Sequence, residues 1–255
     1  MGVGYLLGCL LSLILWKIDR QYVFSVINSK IRKILKTDFL ITAFYIILLV
    51  LLYFLYRLSN NKELLNFITS FLVIDISNTE RKNLKKREKV HFYDSISLIS
   101  RSIVCGFIAP IMYILFFDNY VALVYALIYN ISLQNNILFF NFVFNIFTIV
   151  PSCFVQIVLY LIYLCRNKKI SIDFKGDYLL NFYMKPLLNV DILAAYIESV
   201  NFYYCFNDNN TDYIKSYGEY TNKIDDICIK DYLSIAYSIC MVCFVVFFIV
   251  IRKFN

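Results

Sequence analysis

Phe39 to Tyr56 reads FLITAFYIILLVLLYFLY, 18 residues without a charge, an amide, a proline or a glycine. As a helix rising ~1.5 Å per residue, it reaches most of the way across a ~30 Å hydrocarbon layer. Of the 255 residues, 60% are hydrophobic and 17% charged, and so short a chain has too little interior to hide several such helices from water. The expected fold class is all-α: a polytopic integral membrane protein with about five or six transmembrane helices and a mainly helical soluble loop. Residues 1–255 form a single membrane domain in this reading, multi-pass in the cell membrane, with the lipid bilayer as first partner.

The outlying apolar runs set the expected span count. Val3 to Trp16 is followed by Lys17, Asp19 and Arg20 and has no basic stretch ahead of it, so it reads as a short retained anchor rather than a removed signal peptide. Ile96 to Phe117, Tyr120 to Leu133, Ile137 to Leu164 and Tyr232 to Ile251 meet or approach the length needed to cross. Pro110 and Pro151 sit inside such runs, where each removes an N–H and frees a carbonyl of the preceding turn. Lipid tolerates that only where neighbouring groups take up the carbonyl, so Gly106, Pro110 and Pro151 are expected to be structural residues at packed kinks. Gly106, Ser100, Ser102 and Ser132 suit close helix contacts. The amides Asn130, Gln134, Asn135, Asn136, Asn141 and Asn145 are expected to face protein or water, since lipid offers them no partner. Arg101 can snorkel to the headgroups.

Charge placement gives a partial topology. The Lys17 to Asp38 connection carries Lys17, Arg20, Lys30, Arg32, Lys33 and Lys36 against Asp19 and Asp38, and the C-terminal tail carries Arg252 and Lys253. Both read as cytoplasmic. The connecting region Arg57 to Ser95 is also basic, with RKNLKKREK at Arg81 to Lys89. A simple hairpin of the first two apolar segments puts these two basic regions on opposite sides. Either Leu64 to Ile76 enters the membrane, preferably as a partial or interfacial helix, or the positive-inside pattern fails here. Arg81 to Lys89 lacks interleaved aromatics and reads as a solvated or lipid-facing surface, so no nucleic-acid partner is expected.

Arg166 to Asp231 is the expected soluble or interfacial loop, basic as far as Lys185 and acidic beyond it. Within it, Val190 to Phe206 has helical capacity and sets Asp191 and Glu198 on roughly one face. Glu198, Asp225 and Asp226 are the best local carboxylates for a divalent ion, but no motif fixes their geometry, and solvated surface acids are the plainer reading. The metal site is therefore unassigned. The scattered cysteines suggest neither a disulfide framework nor a thiolate metal site. His91, the single histidine, reads as interfacial or solvated rather than catalytic. The 22 tyrosines and 24 phenylalanines fit lipid-boundary belts and apolar packing better than an aromatic cage. No phosphate-binding glycine loop, zincin motif or nucleophile elbow is present in the sequence.

A colinear set of short signatures spans nearly the whole chain. Gly106-Phe107-Ile108-Ala109-Pro110 precedes an apolar run to Tyr125; Ile149-Val150-Pro151 follows; then come Pro186, Asn189 and Ala194-Ala195, Tyr217-Gly218-Glu219, and Asp231 at the start of the last apolar helix. In this order they resemble the CbiB/CobD family of membrane-bound cobalamin biosynthesis proteins, the adenosylcobinamide-phosphate synthases. The resemblance implies amide formation between adenosylcobyric acid and an aminopropanol phosphate, with ATP and Mg²⁺ as cofactors and a corrinoid substrate as partner. It implies catalytic roles for Asn130, Asn145, Glu198 and Glu219, with Asn141 in the same rearranged site, and substrate binding by Asn189, Tyr217 and Lys185. The chain departs from the family where acids matter. Arg101-Ser102 replaces a Glu-Asn pair, Cys105 an aspartate, Phe144 and Asn145 paired aspartates, and Cys153 an arginine. Loss of these carboxylates changes the local potential a metal ion would meet. Two alternatives therefore stand beside a divergent synthase: a catalytically inactive binding or scaffold protein on the same fold, and a transporter component.

Overall fold

The computed structural model describes residues 2–15, 20–59, 61–75, 93–134, 137–208, 211–218 and 226–254. In chain order these form α1 (Val3–Ile14), α2 (Arg20–Ile34), α3 (Asp38–Leu58), α4 (Lys62–Val73) and α5 (Tyr93–Arg101). A π-helical stretch, Ser102–Ile108, leads into α6 (Ala109–Phe116), followed by α7 (Asn119–Gln134), α8 (Leu138–Asn167), α9 (Tyr178–Met184) and α10 (Pro186–Ile197). Strands β1 (Phe202–Asp208) and β2 (Thr211–Tyr217) precede the last helix, α11 (Asp226–Phe254). The chain divides into two compact units, the first comprising Met1–Asn78, Cys105–Phe144 and Cys243–Asn255, the second Thr79–Val104 and Asn145–Val242.

Among the described residues four helical stretches are long and apolar enough to cross a membrane: Asp38–Leu58, Ser95–Phe116, Leu138–Asn167 and Ile227–Lys253. On α3 only Ile41 and Tyr45 are buried, while Phe39, Ile47, Phe54 and Leu55 stand more than half exposed. So large an apolar face is stable only against lipid. The chain is a multi-spanning helical membrane protein. The expected five or six spans are reduced to four because two apolar runs make short helices. Val3 to Trp16 yields the 12 residues of α1 and Tyr120 to Leu133 the 16 of α7, which at ~1.5 Å per residue fall short of a ~30 Å core.

The mainly helical loop also contains a hairpin. The helix over Val190 to Phe206 stops at Ile197, and Ser199 turns the backbone left-handed at φ 51°. The aromatic run that follows becomes β1, paired antiparallel with β2 so that Phe202 lies opposite Tyr217. Neighbouring Phe, Tyr and Tyr crowd a helix but fit the pleat of a strand.

In the first unit, α1 and α4 pack side by side and run parallel. Gly4, Gly8 and Ser12 recur every fourth residue and let the backbones approach. A Cβ on Gly8 would stand 2.5 Å from the Phe67 carbonyl oxygen, and one on Gly4 2.3 Å from that of Glu63. Both ends of the pair are closed. The Gly2 and Gly4 N–H groups, unpaired donors at a helix start, donate to the Glu63 carboxylate at 2.9 and 2.8 Å. Those two bonds, that from Gly4 first, hold the Glu63 pKa below the usual carboxylate range. At the other end the Ser12 hydroxyl donates to the Ile74 carbonyl. The Arg20 guanidinium donates to the Phe71 carbonyl and, at 2.9 Å, to that of Ile74, while lying 4.4 Å over the Phe71 ring. Between the ends, Tyr5 donates to Asn119 at 2.9 Å and Asn119 to Asn66 at 2.6 Å, tying α7 to both helices.

This pairing bears on the charge conflict. The 12-residue α4 ends level with the end of α1, so the chain enters the Lys17 to Asp38 connection and the basic region after α4 from the same end of the pair. Arg81 to Lys89 and His91 lie outside the described residues.

Pro110 has no N–H to offer the carbonyl four residues earlier, and the helix widens into its π stretch just before it. The Gly106 carbonyl receives instead the Asp75 N–H, at 3.0 Å. Pro151 is accommodated within α8 and is buried.

Gly8→Ala should cost about 1–3 kcal/mol of stability by overpacking, measured as denaturant-induced unfolding in detergent micelles. Leu10→Ala, on the exposed side of α1, should stay within about 0.5 kcal/mol of the parent. Equal losses for the two would contradict the close approach of α1 and α4.

Candidate functional site

The second unit is organised around α10, whose sequence PLLNVDILAAYI is apolar apart from Asn189 and Asp191 and is buried from Leu188 to Ile197. Pro186 opens it at a position where a missing N–H costs nothing. The helix packs on α5, and this contact sets Asp191 beside two serines. Asp191 Oδ2 accepts from the Ser97 hydroxyl at 2.8 Å, while the Ser100 hydroxyl shares a 3.0 Å bond with that of Tyr232 on α11. Asp191 Oδ1 is buried and receives no well-directed hydrogen bond among the described residues. Burial pushes the Asp191 carboxyl up to about 6, against the Ser100 and Ser97 hydroxyls and the Arg101 charge, which pull it down. Burial also raises the pKa of Tyr204, with the Asp191 charge adding to the effect.

At the C-cap of α10 the arrangement changes. Glu198 has its side chain 2% exposed and meets Arg166, from the last turn of α8, at 3.0 and 3.4 Å. The same guanidinium reaches the half-exposed Asp231 at 3.4 Å. Burial pushes the Glu198 carboxyl up to about 7; Arg166 opposes that shift and Asp231 adds to it. Glu198 is thus not a solvated surface acid, and it and Asp191 are each buried with their own partners. Arg166 already stands between Glu198 and Asp231 as their counter-charge, so this pair does not fit Mg²⁺. Among the described residues no three His, Cys, Asp or Glu side chains gather as a metal site.

The remaining sequence-derived candidates divide between the units. Asn130 belongs to the first, where its amide donates to the Ala126 carbonyl of its own helix at 2.8 Å. In the second, Asn145 donates to the Met184 carbonyl at 2.9 Å and closes the end of α9. Asn189 donates to the Tyr178 carbonyl at 3.0 Å, Tyr178 to Gln156 at 3.0 Å, and Gln156 to the Pro186 carbonyl at 3.5 Å. That chain pins α9 and α10 to α8. Lys185 holds its ammonium 4.9 Å over the Tyr204 ring, and burial lowers its pKa. Tyr217 is 1% exposed beneath Lys175, 5.8 Å away. Gly218 beside it takes φ 101°, and a Cβ there would lie 2.1 Å from the Val200 carbonyl oxygen. The Tyr-Gly pair therefore ends β2 at the open end of the hairpin, packed against Val200. Glu219 and Asp225 lie outside the described residues.

Sequence reasoning passed over Ser97 and Tyr232 and gave Asp191 no role beyond a helix face shared with Glu198. The signal was present: an acid inside an otherwise apolar helix is costly to bury and asks for hydroxyl partners. The cysteines hold one exception to a scattered pattern, the Cys-x-x-Cys spacing of Cys240 and Cys243 on the spanning helix α11, which are not joined in a disulfide.

Because the folded state binds the Glu198 proton more tightly than the unfolded chain, its contribution to stability is complete below pH ~4.5. It declines as pH rises to about 7 and is level above. The decline amounts to at most about 3 kcal/mol. Glu198→Gln should flatten this part of a stability-against-pH curve recorded in detergent, and a variant with the parent's slope would contradict the assignment. Compared with known proteins, the chain matches no family model, no curated protein and no solved structure.

Proposed function

We propose that this chain is a divergent corrinoid-assembly protein of the cell membrane, related to the adenosylcobinamide-phosphate synthases and joining a corrinoid carboxylate to an aminopropanol phosphate. The reading is supported by where the resembling residues lie. Gly106 and Pro110 frame the carbonyl taken up by Asp75. Pro186, Asn189, Ala194 and Ala195 are buried on α10. Tyr217 and Gly218 lie at the open end of the hairpin, where any side chain on Gly218 would strike Val200. Packing admits few residue types at such places, so agreement there carries more weight than agreement at exposed positions. Beside them, Asp191 is a buried acid whose Oδ1 receives no well-directed hydrogen bond from the described residues. It is the group of choice for holding or orienting a substrate in this reading.

A second reading, binding or scaffolding without chemistry, is favoured by how the other candidates are spent. Asn130 and Asn145 are bonded to helix carbonyls and Glu198 to Arg166.

Expression in cells lacking the synthase, with membrane insertion verified, separates the two. The first reading expects adenosylcobinamide phosphate to form, and expects Asp191→Asn to lower its yield about tenfold or more. Properly inserted protein that yields no product would leave the second reading standing.

A further inference from the structure

The connection between α1 and α3 contains a helix whose two sides differ sharply. On one side of α2, Asn28 is buried and accepts from the Tyr45 hydroxyl of α3 at 2.9 Å, and Arg32 reaches Asp38 at 3.9 Å. The opposite side presents Tyr22, Val23, Ile27 and Ile34, exposed by 65, 51, 49 and 79%. At 100° per residue these four fall within one half of the helix circumference, with Lys30 and Lys33 on the same half. Lys36 follows just beyond the helix and is also exposed. Water alone is a poor neighbour for four large apolar side chains, and hydrocarbon alone is a poor one for the ammonium groups.

Depth decides between them. Two ties from α2 fall on the first two turns of the α3 span, at Asp38 and Tyr45, which lie about 10 Å apart along a helix axis, and Arg20 at its start is bonded to the Phe71 and Ile74 carbonyls at the end of α4. They hold α2 at the level where that span enters the bilayer. An amphipathic helix lying there buries its apolar side about 5–10 Å into the boundary between headgroups and chains, while lysines extend to the phosphates. Each nearby cation favours negatively charged lipid. Among the described residues Asp38 stands beside this cluster, and it is engaged by Arg32.

We propose that α2 is an interfacial helix whose outward face, Tyr22, Val23, Ile27 and Ile34 with Lys30, Lys33 and Lys36, binds the anionic phospholipids of the leaflet at which α3 begins. This surface is independent of the corrinoid reading and of the Asp191 cluster.

The test uses the full chain in nanodiscs. Trp16→Phe removes the single tryptophan, and Ile27→Trp places a reporter on the outward face. Bromines near the carbonyl end of the lipid chains should quench this tryptophan strongly, and aqueous iodide only weakly. At equal mole fraction and low salt, brominated phosphatidylglycerol should quench roughly two- to fivefold more effectively than brominated phosphatidylcholine. That preference should shrink at high salt and disappear in Lys30→Gln/Lys33→Gln/Lys36→Gln. Full iodide access would mean that the face meets water or a soluble partner and would overturn the proposal. So would equal quenching by the two lipids at low salt, or a preference untouched by the lysine substitutions.

Discussion

Inside a bilayer no water waits to take up a freed backbone group, and the first unit is built around meeting that requirement. Pro110 leaves the Gly106 carbonyl without its helical donor, and the Asp75 N–H, arriving just after α4, supplies one. For Asp75 to be there, α4 must lie where it does, which requires the backbone approach that Gly4 and Gly8 permit. The ends of α1 and α4 raise the same demand. Glu63 answers it for the N–H groups of one helix, Arg20 and Ser12 for the carbonyls of the other. A short helix left with open ends in hydrocarbon would cost several kcal/mol for each unpaired group. The side chains that close those ends are therefore as much part of the fold as the apolar faces.

How much of this was legible follows from range. Long spans such as Asp38–Leu58 are visible in sequence because length and apolarity are local properties. A consequence of Pro110 was also visible, because a proline's missing donor is a local fact. The identity of the rescuing donor was not, since Asp75 lies 35 positions earlier in the chain. The Gly4, Gly8, Ser12 spacing was readable but attracted no notice beside the longer apolar runs. The hairpin was misjudged because the helical character of Val190 to Ile197 was carried across Ser199 into aromatics that favour a strand.

The second unit shows the same separation at its polar cluster. Asp191 and Glu198 have the spacing that suggests one helix face, but Glu198 lies at the cap, where it meets the end of α8. One acid is surrounded by hydroxyls and the other is matched to a guanidinium, so two residues of like charge acquire different electrostatics from their neighbours. Spacing along the chain could not reveal this, because Ser97, Tyr232 and Arg166 come from three other helices. Asn189 makes a similar point: a polar residue in an apolar helix serves here to fasten α10 to Tyr178.

The parallel pair of α1 and α4 has a consequence for biogenesis. Their closing contact, Gly4 to Glu63, joins residues 59 positions apart. At about 5–20 residues per second of synthesis, α1 would wait roughly 3–12 s for its partner to be made. During that interval its glycine face has no mate, and α3 must already have been threaded across before α4 can return. The nascent chain therefore has a period in which its first helix needs shelter from the insertion machinery or from the lipid border, and it becomes anchored only when the fourth helix is delivered.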